Sequence, residues 1–237
     1  MKRILLVLCL AAFSASFAQI PTSLLVPTSR VNTFDEYDGS IYLKSRYKES
    51  SVIDEKSSAY DAKLKYNIYN DGLEHTSRSG ELYELVKRPT VHARIDGDYF
   101  YYCNFKSPRG LDREGYYVLV ELTDRYRIYK RFTLEIKDPE KKAIVSSGIA
   151  EPGSIRTITS YYIEEAEVIM ELPLNKKEML ATFSDKENEL KEYIKKEKIR
   201  LKKEEDLIRF VARYNALKSD ETSQNRSLLS NATSGRN

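Results

Sequence analysis

A regular alternation of apolar and polar side chains constrains this chain more than any other feature. The clearest run covers residues 62–69, where the apolar positions are Ala62, Leu64, Tyr66 and Ile68. Successive side chains of a strand point to opposite faces, so the run predicts a strand with one buried and one solvated face. Similar runs recur from residue 40 to about residue 172. They predict about ten short antiparallel strands.

Turn-forming residues separate these runs. Asn70-Asp71-Gly72 and Asp96-Gly97 tolerate a positive φ and predict tight hairpins. Residues 106–115 and 137–154 are rich in polar residues, Gly and Pro, and predict longer loops. Glu164-Glu165 is the predicted turn between the last two strands.

After Pro173 the apolar spacing becomes helical. Asn175 is a predicted N-cap for a short helix, and Ser184 or Asp185 for the next. The last predicted helix carries an amphipathic stripe at Leu207, Phe210, Val211, Tyr214 and Leu217. The sequence therefore predicts an α+β fold that is mainly antiparallel β, built as a sandwich or a partly open barrel. The C-terminal helices that follow would cover an open edge or mouth.

The first eighteen residues have the pattern of a secretory signal peptide. Lys2 and Arg3 precede an apolar run of ten residues, which is too short for a membrane span. Ala15-Ser16-Phe17-Ala18 then predicts cleavage before Gln19. We expect export, with the mature chain in the periplasm or associated with the envelope, and no transmembrane segment after cleavage. A retained membrane anchor is the alternative.

The predicted organisation has five parts. A signal peptide at 1–18 is followed by a linker or N-terminal arm at 19–38 and an antiparallel β domain at 39–173. Helices packed on the sheet occupy 174–217, and a disordered tail occupies 218–237, where apolar residues are scarce.

Composition limits the possible partners and chemistry. The chain has 39 basic and 36 acidic residues. Cleavage of the signal removes Lys2 and Arg3, which leaves a formal net charge of +1. So small a charge does not indicate a nucleic-acid partner. Cleavage also removes Cys9, so Cys103 is the remaining thiol and the mature chain cannot form an intramolecular disulfide.

No catalytic residue stands out from its spacing, and we expect no cofactor and no metal. His75 and His92 fall in separate predicted strands, at positions expected to be exposed or at the rim. Cys103 shares a strand face with Tyr101 and Phe105, which favours a buried, inert thiol over a nucleophile.

Several acidic clusters have the composition of turns rather than of ligand sets. Asp96 with Asp98, and Asp35 with Asp38, lack the alternating acids and distal Glu of a calcium loop. A polar loop carries the charged residues Arg109, Asp112, Arg113 and Glu114. That loop is either a polar site or, as we favour, a solvated connection.

Two positively charged features leave alternatives open. Lys130 falls on the apolar side of its predicted strand, which a bulge, a rim position, snorkelling or a charged ligand inside the sheet would explain. Residues 195–203 hold six basic residues, followed at once by Glu204, Glu205 and Asp206. This segment is either a solvated connection between helices or a contact with an anionic lipid surface or polyanion.

Tyrosine is the dominant aromatic residue, with 18 Tyr, 8 Phe and no Trp. Tyr fills half-buried sheet faces well, and it also stacks on sugars or anchors partners. The tyrosines on strands or beside loops are Tyr60, Tyr69, Tyr101, Tyr102, Tyr117 and Tyr129. We favour the structural role for most of them.

A group of short sequence features resembles small exported proteins of the Bacteroidota that have no assigned activity. The carrying segments are Leu64-Lys65-Tyr66-Asn67, Gly115-Tyr116-Tyr117, Asn175-Lys176-Lys177, Lys195–Leu201, Glu205-Asp206-Leu207 and Tyr214-Asn215. The resemblance covers about residues 39–217. It implies a compartment and a lineage, and it supplies no catalytic residue.

These observations favour an exported, non-enzymatic binding or structural protein of the cell envelope, with an envelope protein or a glycan as partner. One alternative is a carbohydrate-active or other hydrolytic enzyme with an unrecognised pair of carboxylates. A second is a carrier of apolar ligands, which requires an unfilled interior. A shallow face lined by Tyr would favour binding, whereas a deep cleft with two carboxylates would favour the enzyme.

Overall fold

The structure confirms the predicted α+β fold, with a large, mainly antiparallel sheet of eleven strands followed by helices. It is a computed structural model that describes residues 20–139, 152–219 and 228–229. The predicted signal peptide therefore lies outside the described residues. So do most of the predicted loop at 137–154 and most of the predicted tail.

The strands follow the predicted order, and most are short. They are β1 (Leu25–Pro27), β2 (Lys48–Asp54), β3 (Ala59–Asn67), β4 (Gly72–Thr76), β5 (Leu82–Leu85), β6 (Val91–Ile95), β7 (Asp98–Lys106), β8 (Asp112–Leu122), β9 (Arg127–Lys137), β10 (Ser154–Glu165) and β11 (Val168–Leu172). The longer ones are β8, β9 and β10, which have 11, 11 and 12 residues. The helices are α1 (Lys176–Thr182), α2 (Glu187–Lys196) and α3 (Glu204–Ser219). Among the described residues, no helix has the length and apolar character needed to cross a membrane.

The chain divides into two compact units. Unit 1 is residues 1–100 with 136–155, and unit 2 is residues 101–135 with 156–237. The helices share one apolar core with β9, β10 and β11 through Ile128, Ile163 and Met170. The β region at 39–173, which we expected to be one domain, is divided between the two units.

Unit 1 contains an antiparallel run of strands in the order β1-β5-β4-β3-β2-β6. Strand β1 was not among the predicted strands, and it lies in the segment that we expected to be a linker or arm. It pairs with β5, and Leu24 beside it is buried. Because β1 is three residues long and ends at Pro27, it offers little backbone for pairing with another chain.

Unit 2 contains strands whose pairings close on themselves. They run β7-β11-β10-β9-β8, and β8 also pairs with β7. Strands β7 to β11 follow one another in sequence and alternate in direction, so the first and the last of them run parallel. β11 indeed pairs parallel to β7, at Val168 and Lys106. The β7–β11 pairing that completes the closure consists of this one pair.

The first helix of unit 2 begins at its predicted cap, but the second does not. Asn175 Oδ1 accepts hydrogen bonds from the backbone N–H groups of Lys177 and Glu178, which caps α1. The prediction of Ser184 or Asp185 as the N-cap of α2 was wrong, because these residues lie in a 3-10 turn and Lys186 precedes the helix without a side-chain cap bond.

The α3 residues Leu207, Phe210, Val211 and Tyr214 are all buried, as the amphipathic stripe requires. Within the predicted tail, α3 continues to Ser219, and Leu228 and Leu229 are buried in the helical core.

Candidate functional site

Three aromatic rings cluster at the surface of unit 1. Phe34 packs edge-on against Tyr37 at a centroid distance of 5.3 Å and against Tyr69 at 4.9 Å. Tyr69 is 50% exposed, and Phe34 and Tyr37 are partly exposed. We call these three residues the aromatic patch. Large apolar rings left partly in water are typical of anchoring positions at binding surfaces.

Tyr37 is held in place from two sides. Its hydroxyl donates a hydrogen bond to Asp138 Oδ1 at 2.9 Å, and this bond raises the pKa of Tyr37. Gly153 lies so close to the ring that an added Cβ would come within 2.3 Å of it. Glycine at this position therefore lets the backbone approach the Tyr37 ring closely.

The loop that presents Tyr69 is fixed by a buried amide. Asn67, the last residue of β3, is fully buried, and its Nδ2 donates to Glu74 Oε1 at 2.7 Å. Its Oδ1 accepts the backbone N–H groups of Tyr69 at 3.0 Å and Asn70 at 3.2 Å. The side chain thus satisfies a buried carboxylate and two loop amides together, which fixes the loop conformation.

Two further contacts hold the same loop. The Tyr66 hydroxyl donates a hydrogen bond to Asp71 Oδ1 at 2.6 Å, and Asp71 adopts a positive φ of 49°. Lys87 Nζ lies 2.9 Å from the carbonyl oxygen of Asn70 and 3.0 Å from Glu84 Oε1. The exposed Tyr69 ring is therefore carried on a loop whose backbone is bonded at several points.

Glu74 lies among groups that stabilise its buried position. Tyr42 lies next to it, and burial together with the Glu74 charge raises the pKa of Tyr42 to about 12. Lys65, opposite Glu74 in the register, places its ammonium group 3.6 Å from the centre of the Tyr42 ring. We interpret this cluster as the support of the loop, not as a reactive centre.

Glu74 also lies opposite Glu84 in the pairing of β4 with β5. Like charges at such positions repel each other, but each carboxylate has its own partner, Asn67 for Glu74 and Lys87 for Glu84. Gly72 leaves room for Glu84, because an added Cβ would lie 2.5 Å from its carboxyl carbon. The pair is thus packed into the sheet and bonded to neighbours.

The segment that carries Phe34 and Tyr37 is acidic. Residues 31–43 contain Asp35, Glu36 and Asp38 and no Lys or Arg. These three side chains are exposed. Residues 66–76, which carry Tyr69, also contain no Lys or Arg. Exposed carboxylates therefore lie next to Phe34 and Tyr37, while the Lys87 ammonium contacts the loop beside Tyr69 at the Asn70 carbonyl.

A shallow groove of about 580 Å³ lies on another part of unit 1, across β2, β3 and β6. Its charged side chains pair with one another or with neighbours. Lys63 Nζ lies 3.0 Å from Glu49, and Lys48 Nζ lies 3.4 Å from Asp96. A face of mutually paired, exposed charges is typical of a solvated sheet surface.

The histidines and the thiol have structural surroundings. His75 Nδ1 lies 3.2 Å from the carbonyl oxygen of Lys63. The prediction for His92 was wrong, because it is buried at 8% exposure opposite Ile53 in the neighbouring strand. Burial lowers the pKa of His92, and Glu55 at 3.7 Å partly offsets this. Cys103 is half-buried, not fully buried as expected, and burial raises the pKa of its thiol to about 12, so the thiol stays protonated at neutral pH.

Of the acidic clusters, Asp96 lies in a hairpin turn. Asp96 and Gly97 both have a positive φ, as the predicted hairpin requires. The predicted loop at 106–115 was too long, because Lys106 ends β7 and residues 112–115 begin β8. Asp112 and Glu114 lie in β8, where Asp112 pairs with Lys106 and Glu114 accepts the Tyr102 hydroxyl at 2.7 Å. No group of three or more His, Cys, Asp or Glu among the described residues could hold a metal ion.

The two basic features of unit 2 also have local partners. Lys130 Nζ lies 3.4 Å from Glu204 Oε2, and the pairing of β8 with β9 is irregular beside it, between Leu119 and Glu121. In the basic segment, Ile199 and Leu201 are buried, and the backbone N–H of Arg200 donates to Asp206. The contacts fit a connection between α2 and α3.

Sequence reasoning found part of the aromatic patch. It singled out Tyr69 but neither Phe34 nor Tyr37. A signal was present, because Phe34 and Tyr37 are isolated aromatic residues among acids in a segment without a strand pattern.

Comparison with known proteins adds no relative. No protein-family model matches the chain, and searches of curated proteins and of solved structures find no significant match.

Proposed function

We propose that this chain is an exported, non-enzymatic binding protein of the cell envelope that recognises a basic segment of a partner protein through the aromatic patch. The observation that carries the proposal is the half-exposed Tyr69 ring, packed against Phe34 on a loop held by buried Asn67. A surface ring whose backbone is already fixed loses little conformational entropy on binding.

The charge around the patch favours a basic partner over a neutral glycan. Lys and Arg side chains are attracted to the faces of aromatic rings, and exposed carboxylates strengthen the attraction. Asp35, Glu36 and Asp38 supply these carboxylates next to Phe34 and Tyr37. Unit 1 already contains such pairs, including the Lys65 ammonium over the Tyr42 ring and the Arg94 guanidinium over the Tyr99 ring.

Export and location in the envelope rest on the sequence. The signal-like residues 1–18 and the resemblance to exported Bacteroidota proteins support them. The raised pKa of Cys103 supports a role without thiol chemistry.

A binding panel tests the class of partner. The mature chain, residues 19–237, is titrated with a peptide of alternating lysine and glycine, a peptide of alternating glutamate and glycine, and neutral oligosaccharides. We expect binding to the lysine peptide that weakens as salt rises, because exposed charges are screened. The same preparation is assayed for hydrolysis of glycosides and esters and for uptake of a fatty acid.

Tyr69→Ala is the diagnostic variant, and Leu111→Ala is its control, because Leu111 is 58% exposed in unit 2. Tyr69→Ala should abolish binding of the lysine peptide, and Leu111→Ala should leave it unchanged. Binding of a neutral glycan in place of the peptide would contradict the proposed partner. Turnover of a substrate, or stoichiometric uptake of the fatty acid, would contradict the proposed function.

A further inference from the structure

Residues 195–203, from the last turn of α2 to the residue before α3, expose six basic side chains. They are Lys195, Lys196, Lys198, Arg200, Lys202 and Lys203. Within the part of the chain that the structure describes, none of the six forms an ion pair. We call these six residues the basic surface.

The acids within this segment and directly after it are mostly engaged by cations outside the basic surface. The Arg209 guanidinium lies 3.3 Å from Glu197 Oε2 and 3.2 Å from Asp206 Oδ1. Glu204 lies 3.4 Å from a lysine of β9. Glu205 is exposed and has no ion pair among the described residues. The segment therefore keeps an excess of exposed positive charge.

The backbone that carries the basic surface is fixed. The N–H of Ile199 donates to the carbonyl oxygen of Ile194 at 3.1 Å, and the N–H of Arg200 donates to Asp206 Oδ2 at 3.0 Å. Ile199 and Leu201 are each 7% exposed and belong to the apolar core of the helices. The apolar side chains of the segment thus anchor it, and its charged side chains remain at the surface.

Lys198 occupies a position that favours glycine. It follows α2 with a φ of 54°. The residue that ends a helix in this left-handed conformation is commonly Gly, because a Cβ atom raises the energy there. A lysine at this position therefore adds a charge to the basic surface at a cost in stability.

We propose that the basic surface binds the surface of an anionic lipid membrane. Five of its six residues are Lys, whose charge is compact, whereas a single phosphate group is best matched by the paired donors of Arg. Clusters of about four to eight Lys and Arg on an amphipathic helix or beside a membrane are typical of binding to anionic lipids. The inference is independent of the aromatic patch, which lies in unit 1.

The small net charge of the mature chain favours a lipid surface over a nucleic acid. A nucleic-acid partner is indicated by a strongly basic domain, and the mature chain has a formal charge of +1. A membrane surface attracts a local cluster of cations within a Debye length, whatever the charge elsewhere on the protein. The attraction should therefore be electrostatic and sensitive to salt.

Sedimentation with lipid vesicles tests the proposal. The mature chain is mixed with vesicles of phosphatidylcholine alone, or of phosphatidylcholine with an equal part of anionic phosphatidylglycerol. We expect binding to the anionic vesicles that weakens as salt rises. The variant that combines Lys195→Gln, Lys198→Gln and Lys202→Gln should bind about a hundredfold more weakly, because each charge contributes a factor of about five.

A matched control removes the same charge elsewhere. Lys44→Gln with Arg46→Gln and Lys56→Gln changes three exposed residues of unit 1 and should leave vesicle binding nearly unchanged. Lys198→Gly should weaken vesicle binding about fivefold. It should also raise the midpoint of thermal unfolding, because glycine adopts a positive φ without strain. Its loss of binding then cannot come from unfolding.

Binding of heparin, a soluble polyanion, is measured with the same preparations. Binding to heparin without binding to the anionic vesicles would overturn the lipid surface as the partner. Equal binding to both kinds of vesicle, no binding to either, or the same loss in the two triple variants would overturn the proposal.

Discussion

Each unit has a cluster of aromatic residues, and the two clusters differ in exposure, although unit 1 also buries Tyr66 against Phe100. In unit 2, Tyr117 is fully buried among Phe105, Tyr129 and Tyr162, inside strands that close on themselves. In unit 1, Phe34, Tyr37 and Tyr69 lie on coil and a hairpin loop, and their rings remain partly in water. The buried Tyr117 ring fills the interior of unit 2, whereas the half-exposed Tyr69 ring, on a loop fixed by hydrogen bonds, is accessible to a partner.

Buried polar groups differ in the same manner. The Asn67 amide of unit 1 is bonded to loop amides, and so it shapes a surface. The hydroxyl of Tyr117 donates a hydrogen bond to the Arg113 carbonyl at 3.2 Å and accepts one from Arg131 at 3.3 Å. These bonds satisfy a polar group inside the apolar core of unit 2.

The largest expected difference between the units comes from removing a ring. Tyr117→Ala should lower the free energy of unfolding by about 3–5 kcal/mol, because it leaves a cavity in a packed interior. Tyr69→Ala should change it by less than about 0.5 kcal/mol, as for most exposed substitutions. Urea unfolding followed by circular dichroism measures both, and equal losses would remove the distinction between the two uses of tyrosine.

Removing the buried amide should have the next largest effect. Asn67→Ala should cost about 2–3 kcal/mol, because it leaves buried Glu74 and two loop amides without this partner. The backbone amide of Tyr69 should then exchange its hydrogen faster. Asn70→Ala is the control in the same loop, since its backbone groups remain, and it should cost far less. If Tyr69 kept its protection in Asn67→Ala, the amide would not be what fixes the loop.

Deleting a single hydroxyl in each unit gives a smaller comparison. Tyr214→Phe removes a buried hydroxyl that lies 3.1 Å from Asp185 Oδ1, and it should cost about 1.5–3 kcal/mol, as for bonds to charged groups. Tyr37→Phe removes an exposed bond to Asp138 and should cost less than about 0.5 kcal/mol. Thermal unfolding of the two variants measures both losses of stability. A larger loss for Tyr37→Phe than for Tyr214→Phe would mean that burial does not determine the cost of deleting a hydroxyl.

The pH dependence should be the smallest effect and should come from unit 1, which holds both histidines of the chain. Burial lowers the pKa of His92 below 6.5, so the unfolded chain binds a proton more readily than the folded chain. Stability should therefore fall as the pH drops from 6.5 through the folded pKa. His92→Gln should reduce the slope of stability against pH. His75→Gln should leave the part of the slope that comes from His92 unchanged. A His92 proton resonance that titrates above pH 6.5 would contradict the assignment.

The alternation of apolar residues was enough to predict most strands, because a half-buried strand must alternate. It did not reveal β1, whose three residues are too few to show a period. The turn after β10 uses Ala166 and Glu167 at positive φ, two residues beyond the predicted turn. Neither is a typical turn residue, so no local signal marks them.

Contacts that join distant segments were beyond the sequence pattern. Asp185 resembles a helix cap, yet its carboxylate contacts Tyr214 and Lys218 instead. Leu228 and Leu229 lie in a polar stretch, and their burial depends on α3 and Glu165. The aromatic patch likewise depends on Asn67 and Gly153, which bring separate segments together without any shared motif.

The central claim is that the aromatic patch of unit 1 is the binding surface. A titration of the isotope-labelled mature chain with the lysine–glycine peptide, followed by backbone amide spectra, tests it most directly. We expect the amides of residues 34–37 and 68–71 to shift in a saturable way, and those of the closed strands of unit 2 to stay in place. Saturable shifts confined to unit 2, or no shifts anywhere, would contradict the claim.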